Sequence, residues 1–185
     1  MSAFNGSPGP GVYTWLHAGG SFPVSLRPNG VFHCQNFPAL ASWQDEQQRR
    51  IVDWKQYGKY EFALAADGSL EGGAVGNHAN WRKMLFLRPF TAPESKLMAG
   101  PGGSAWDFQW EKGSFEVEFR CDGFNHFHCT SFPEHSHWSM DETGKMTINF
   151  GKYGDYEMSI DPATQTMSGH KIGENEMQCL FNYFS

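Results

Sequence analysis

The chain writes one stretch twice. "VFHCQNFPALASW" begins at Val31, and "HFHCTSFPEHSHW" begins at His126, 95 positions later. Both carry Phe-His-Cys, then Phe-Pro, then a Trp at matching places. The likeness runs on in both directions. "GSFPVSLRPNG" at Gly20 aligns with "GSFEVEFRCDG" at Gly113, and "IVDWKQYGKYEFAL" at Ile51 with "TINFGKYGDYEMSI" at Thr147. The offset drifts from 93 to 96, and each change falls in a turn, where insertions are tolerated. The chain is therefore a tandem duplication of units of roughly 90 residues, joined through "RPFTAPESKLMAGPGG". Whatever one unit folds into, the other must be able to fold into as well.

The periodicity within a unit is that of strands. Phe22, Val24 and Leu26 alternate with Pro23, Ser25 and Arg27, and Phe115, Val117 and Phe119 alternate with Glu116, Glu118 and Arg120. Tyr60, Phe62 and Leu64, and again Tyr156, Met158 and Ile160, repeat the pattern. A period of two with one apolar face marks half-buried antiparallel strands. Pro28-Asn29-Gly30, Asp67-Gly68, Asp122-Gly123, Tyr57-Gly58 and Tyr153-Gly154 supply the turns between them. "WQDEQQRRI" is short and polar, and its counterpart "WSMDETGKM" contains Gly144, so both read as connections rather than helices. The fold class expected is all-β. An antiparallel meander of about 10–12 strands closes into one continuous barrel, with a pseudo-twofold axis relating the repeats. The divisions are a flexible N-terminus over 1–8, a first repeat over 9–98 and a second over 99–185. A 90-residue half buries little core alone, which favours one shared barrel.

This rhythm of short strands and tight turns resembles the calycin barrels, the lipocalin and fatty-acid-binding group, over most of the chain. Lipocalins carry Gly-x-Trp near their start, whereas "GVYTW" spaces Gly11 and Trp15 differently. The resemblance implies a barrel that holds a small hydrophobic molecule.

Bulk properties narrow the partners. The net charge of -6 argues against nucleic acid and against an anionic membrane surface. The charge is uneven: nine Lys/Arg against seven Asp/Glu before residue 99, and five against thirteen after it. Drifted solvent faces account for this, and head-to-tail contact in a homo-oligomer is the sharper reading. No apolar run approaches the roughly 18 residues of a membrane helix, and the start has neither basic residues nor an apolar stretch. A cytoplasmic protein is expected. The four cysteines then read as reduced, buried thiols.

The duplication also sorts candidate site residues. Positions kept in both repeats serve the scaffold, and positions that differ are where function can specialise. Arg27/Arg120, His33/His128 and Glu61/Glu157 are kept although polar, which suits cross-strand pairs or a polar lumen. His33-Cys34 and His128-Cys129 are not catalytic dyads, because strand neighbours point to opposite faces. No phosphate loop and no Gly-x-Ser-x-Gly elbow occurs, and spacing alone does not identify paired acids for glycoside chemistry. The first functional reading is therefore a binding barrel for a small hydrophobic or aromatic ligand. Arg27, Arg82 or Arg120 would meet an acidic group on it, with His33 and His128 nearby. The second is a metal-dependent enzyme using a transition metal on His126, His128, His135 and His137, a cluster richer in the second repeat than in the first. The third is a scaffold for partner proteins.

Overall fold

The computed structural model describes residues 4, 6–98, 102–161, 163–164 and 166–183. The chain divides into two compact units, Met1–Phe90 and Thr91–Ser185, so the break falls inside the joint between repeats.

The first unit holds β1 (Gly11–His17), β2 (Gly20–Leu26), β3 (Val31–His33), β4 (Ala41–Glu46), β5 (Arg49–Asp53), β6 (Lys59–Leu64), β7 (Leu70–Ala74) and β8 (Asn77–Pro89). Each pairs antiparallel with the next, and β1 pairs with β8, closing a barrel. The second unit opens with α1 (Ala92–Leu97). It continues with β9 (Ser104–Trp110), β10 (Gly113–Phe119), β11 (Phe127–His128), β12 (His137–Met140), β13 (Met146–Asn149), β14 (Asp155–Asp161), β15 (Thr166–Lys171) and β16 (Glu174–Tyr183). Its sheet runs β11-β10-β9-β16-β15-β14-β13-β12. The end strands β11 and β12 meet through one bridge, His126 to His137.

The all-β, antiparallel, two-repeat architecture is as the alternation predicts. The sequence rhythm gives ten to twelve strands in one barrel. The structure has sixteen among the described residues, and each repeat forms an eight-stranded sheet of its own. Two features account for the difference. Strands such as β3 and β11 are too short to show alternation. Very large rings also let a small barrel fill itself: Trp15 meets Phe32, Trp54, Tyr60 and Phe62 edge-on at centroid distances of 5.1–5.6 Å. "WQDEQQRRI" is not a loop but a strand–turn–strand unit. Gln47 and Gln48 form its two-residue turn, both with positive φ, as a type I′ hairpin requires. The joint contains α1, whose Thr91 and Glu94 form a reciprocal capping box. Within the segment 1–8 expected to be flexible, Phe4 is buried, and Ser7 and Pro8 accept hydrogen bonds from Arg50; residues 1–3 and 5 lie outside the described residues.

The repeats match in detail. In each, a single 3-10 turn (Lys55–Tyr57, Gly151–Tyr153) ends on a glycine of φ 109° or 99°. That glycine's carbonyl accepts from the Trp54 or Phe150 N–H at 2.9 Å. The hydroxyl of the following Tyr60 or Tyr156 donates back to the Tyr57 or Tyr153 carbonyl. The repeated Tyr-Gly-x-Tyr is thus kept in both repeats as a backbone device. Gly72 and Gly169 are equivalent in the same way: a Cβ at either would overlap the carbonyl oxygen of Glu61 or Glu157 on the neighbouring strand.

Cys34, Cys121, Cys129 and Cys179 are all buried free thiols. Burial raises the pKa of Cys34 and Cys129, and pushes Cys179 to about 11. Cys34, Cys129 and Cys179 therefore stay protonated at pH 8, and all four thiols are shielded from solvent. A chromogenic disulfide reagent is expected to label none of the four within minutes in the folded protein and all four in denaturant. Rapid labelling of the native chain would count against this packing.

Candidate functional site

Two features of the second unit stand out among the described residues. One is an aromatic cup of about 250 Å³, lined by rings that include Phe108, Phe115, Phe132, Phe150 and Tyr156, with Lys152 and Lys171 on its wall. Phe108 on β9 stacks on Phe115 of β10 at 4.7 Å, and Phe115 meets Phe132 at 4.7 Å. Register places Phe108 where the first barrel has Trp15, and Phe150 where it has Trp54. Two indoles that fill the first barrel are phenyls in the second. The exchange also removes a tether: the Trp54 indole N–H donates to the Phe37 carbonyl at 3.1 Å, and the Phe150 ring carries no donor with which to hold Phe132. Lys152 and Lys171 replace Gln56 and Ala74, so both cations are particular to the second repeat. The Lys152 ammonium lies 5.2 Å from the Tyr153 ring centre and 3.5 Å from Glu134. The Lys171 stem lies over Gly154.

The second feature is the histidine group. His126 and His137 are bridge partners, and His135 lies two residues before His137. Their neighbours Phe127, Ser136 and Trp138 are buried, so the imidazoles share the outer face. One nitrogen from each of the three rings lies within 4.8 Å of the others. His126 Nδ1 contacts the Asp122 carboxylate, and His137 Nδ1 donates to the Phe124 carbonyl at 3.0 Å. Burial raises the Asp122 carboxyl, but hydrogen bonds from His126 and the Phe124 backbone outweigh it and hold the group below the usual carboxylate value. His128, expected in the cluster, stands outside it. It pairs across to Glu118 on β10, and its Nε2 lies 3.5 Å from the Thr130 hydroxyl.

The arginines expected to meet a ligand do not share a place. Arg27 is buried, at 2 % exposure, although the alternation assigns it to the polar face. Arg82 lies over the Tyr60 ring at 5.2 Å and donates to Asn80 at 2.6 Å. Arg120 pairs with Glu118 at 3.0 Å beside an open hollow of about 550 Å³ formed by Gly102–Ala105, Glu118 and Asp122. Arg27, Arg82 and His33 belong to the first unit, Arg120 and His128 to the second. The kept Glu61 and Glu157 hold basic side chains: Arg49 at 2.8 Å and the His78 imidazole at 3.1 Å for the former, Lys145 at 2.8 Å for the latter. The cup lysines are absent from the sequence-derived candidates. Their signal was available, since both stand at positions where the repeats diverge.

Comparison with protein-family models, with characterised proteins and with solved structures finds no match. The likeness to calycins therefore stands at the level of antiparallel barrels. No helix among the described residues is long and apolar enough to cross a membrane.

Proposed function

We propose that the second barrel is a calycin-like binding module for a small amphipathic carboxylate, aromatic or short-chain aliphatic. The observation that carries this reading is the cup itself. The second repeat opens a cavity of about 250 Å³ where its twin holds two indoles, and sets two lysines beside it that its twin lacks. An aromatic wall takes the apolar body, and the ammonium groups take the acid. Eight-stranded barrels have room for one such ligand. At about 0.5 kcal/mol per heavy atom, a twelve-atom acid binds with about -6 kcal/mol, a Kd of order 40 µM.

Calorimetry with phenylacetate, indole-3-acetate and hexanoate tests this against the matching neutral amides. Acids are expected to bind at least tenfold more tightly than amides. Lys152→Glu with Lys171→Glu is expected to erase that preference, because both charges beside the cup are reversed. Equal binding of acids and amides, or unchanged acid binding by the double variant, would remove the carboxylate reading.

A further inference from the structure

The seam of the second barrel is built differently from that of the first. In the first barrel β3 and β4 form a short ladder, with Val31 opposite Ser42 and Phe32 opposite Ala41. The second replaces Val31, Leu40 and Ser42 with His126, His135 and His137. Its β11 and β12 join only at the His126–His137 bridge, flanked by backbone bonds from Phe127 N–H to Ser136 O and from Trp138 N–H to Asn125 O. The preceding hairpin turn is two residues longer. Asn125, with φ 55°, takes over the role of Gly30, whose carbonyl accepts from Trp43 N–H in the first repeat. The added length brings in Phe124, whose carbonyl orients His137.

We propose that His126, His135 and His137 form a zinc site on the outer face of this seam, with a fourth position open to water or another donor. Zinc takes imidazole nitrogens at about 2.0–2.1 Å, so tetrahedral ligands sit about 3.3 Å apart. His135 and His137 already present Nε2 atoms 3.0 Å apart, and the third nitrogen lies within 4.8 Å. His135 is exposed on the irregular segment before β12, so it is the ring free to adjust. The other two rings are oriented from behind. Because the Asp122 carboxylate and the Phe124 carbonyl can only accept, Nδ1 of His126 and of His137 carries the proton, and Nε2 of each holds the lone pair a metal needs. Such carboxylate and carbonyl partners behind the ligands fix tautomer and orientation in zinc sites. Without metal, His135 satisfies His137 by donating its Nε2–H; with metal, the His135 proton moves to Nδ1 and both Nε2 atoms turn to the ion. A bound ion would staple β11 to β12 where the backbone ladder is thinnest.

Metal-free full-length protein titrated with zinc alone should bind one equivalent with a Kd at or below the micromolar range. Cobalt in its place should give the intense visible bands of a tetrahedral site. Zinc should slow exchange of the Phe127 and Trp138 amides at least tenfold, because the seam is closed by the ion. His126→Ala with His137→Ala should lose at least 100-fold in affinity. His135→Ala, an exposed change that leaves the bridge residues in place, should lose at least tenfold even if the double variant fails to fold. Absence of stoichiometric binding overturns the proposal. So does zinc binding that survives His135→Ala unchanged, or a cobalt spectrum of the pale octahedral kind. Carboxylate binding in the cup is read separately and stands or falls without affecting this result.

Discussion

Replacing Arg50 by Met is expected to cost the first barrel about 3–5 kcal/mol, a large fraction of the stability of a domain this size. Arg50 is 1 % exposed. Its guanidinium donates to both Asp45 oxygens at 2.8 and 3.0 Å, to the Ser7 hydroxyl, to the Pro8 carbonyl and to the Tyr13 hydroxyl. It also lies 4.8 Å from the Trp43 ring centre. Removing it strands a carboxylate and unties the N-terminal segment that packs Phe4. Tyr13 gives no relief, because burial, only partly offset by Arg50, pushes its pKa to about 12 and keeps it protonated.

The second repeat shows the alternative solution. Asp45 and Arg50 face each other across β4 and β5, and the same cross-strand position in the second unit is Met140 opposite Met146. Asp45→Met with Arg50→Met is therefore expected to be less destabilising than Arg50→Met alone, since no charge is left without its partner. Urea denaturation followed by circular dichroism reads both. An Arg50→Met loss below about 1 kcal/mol, or a double variant worse than the single by more than the error, would contradict this account of the network.

What the sequence discloses and what it hides follow from how the information is carried. Duplication is a comparison of the chain with itself, so it shows plainly, as does the period-two alternation of β2, β6, β10 and β14. Closure does not. It depends on strands of two or three residues, β3 and β11, which alternate too briefly to register. Arg27 reads as outward by parity yet is buried, because the strand β2 ends at Leu26 and the turn redirects the next side chain. The histidines are partly legible. The i,i+2 rule places His126, His128, His135 and His137 on shared faces, but only the register of the seam decides that His128 sits beside β10 while the other three meet. The two-residue insertion behind His137 is visible as an offset change from 93 to 95, though its chemical use, a carbonyl aimed at an imidazole, is tertiary. Lys152 and Lys171 show a different lapse. Divergence between repeats marks them, but sorting by residue type drew attention to arginine and histidine instead.

Phe108→Trp with Phe150→Trp is expected to abolish carboxylate binding, by more than 100-fold, while the second barrel stays folded. The first barrel holds an indole at both equivalent places within the same strands and the same Tyr-Gly-x-Tyr turn, so the scaffold already accommodates the change. At position 150 the new indole N–H would find the Phe132 carbonyl, as Trp54 finds the Phe37 carbonyl at 3.1 Å. That restores the tether on the segment carrying Phe132 and fills the floor of the cup together. A 100-fold loss corresponds to about 2.8 kcal/mol, which displacing the apolar body of a twelve-atom acid readily supplies. Overpacking can cost about 1–3 kcal/mol, so the melting temperature is measured alongside calorimetry. A folded double variant that keeps wild-type affinity would place the acid elsewhere. A double variant that loses the acid but still binds zinc normally would show the interior and the seam of one small barrel to be separate sites, reached by substitutions on opposite faces of the same sheet.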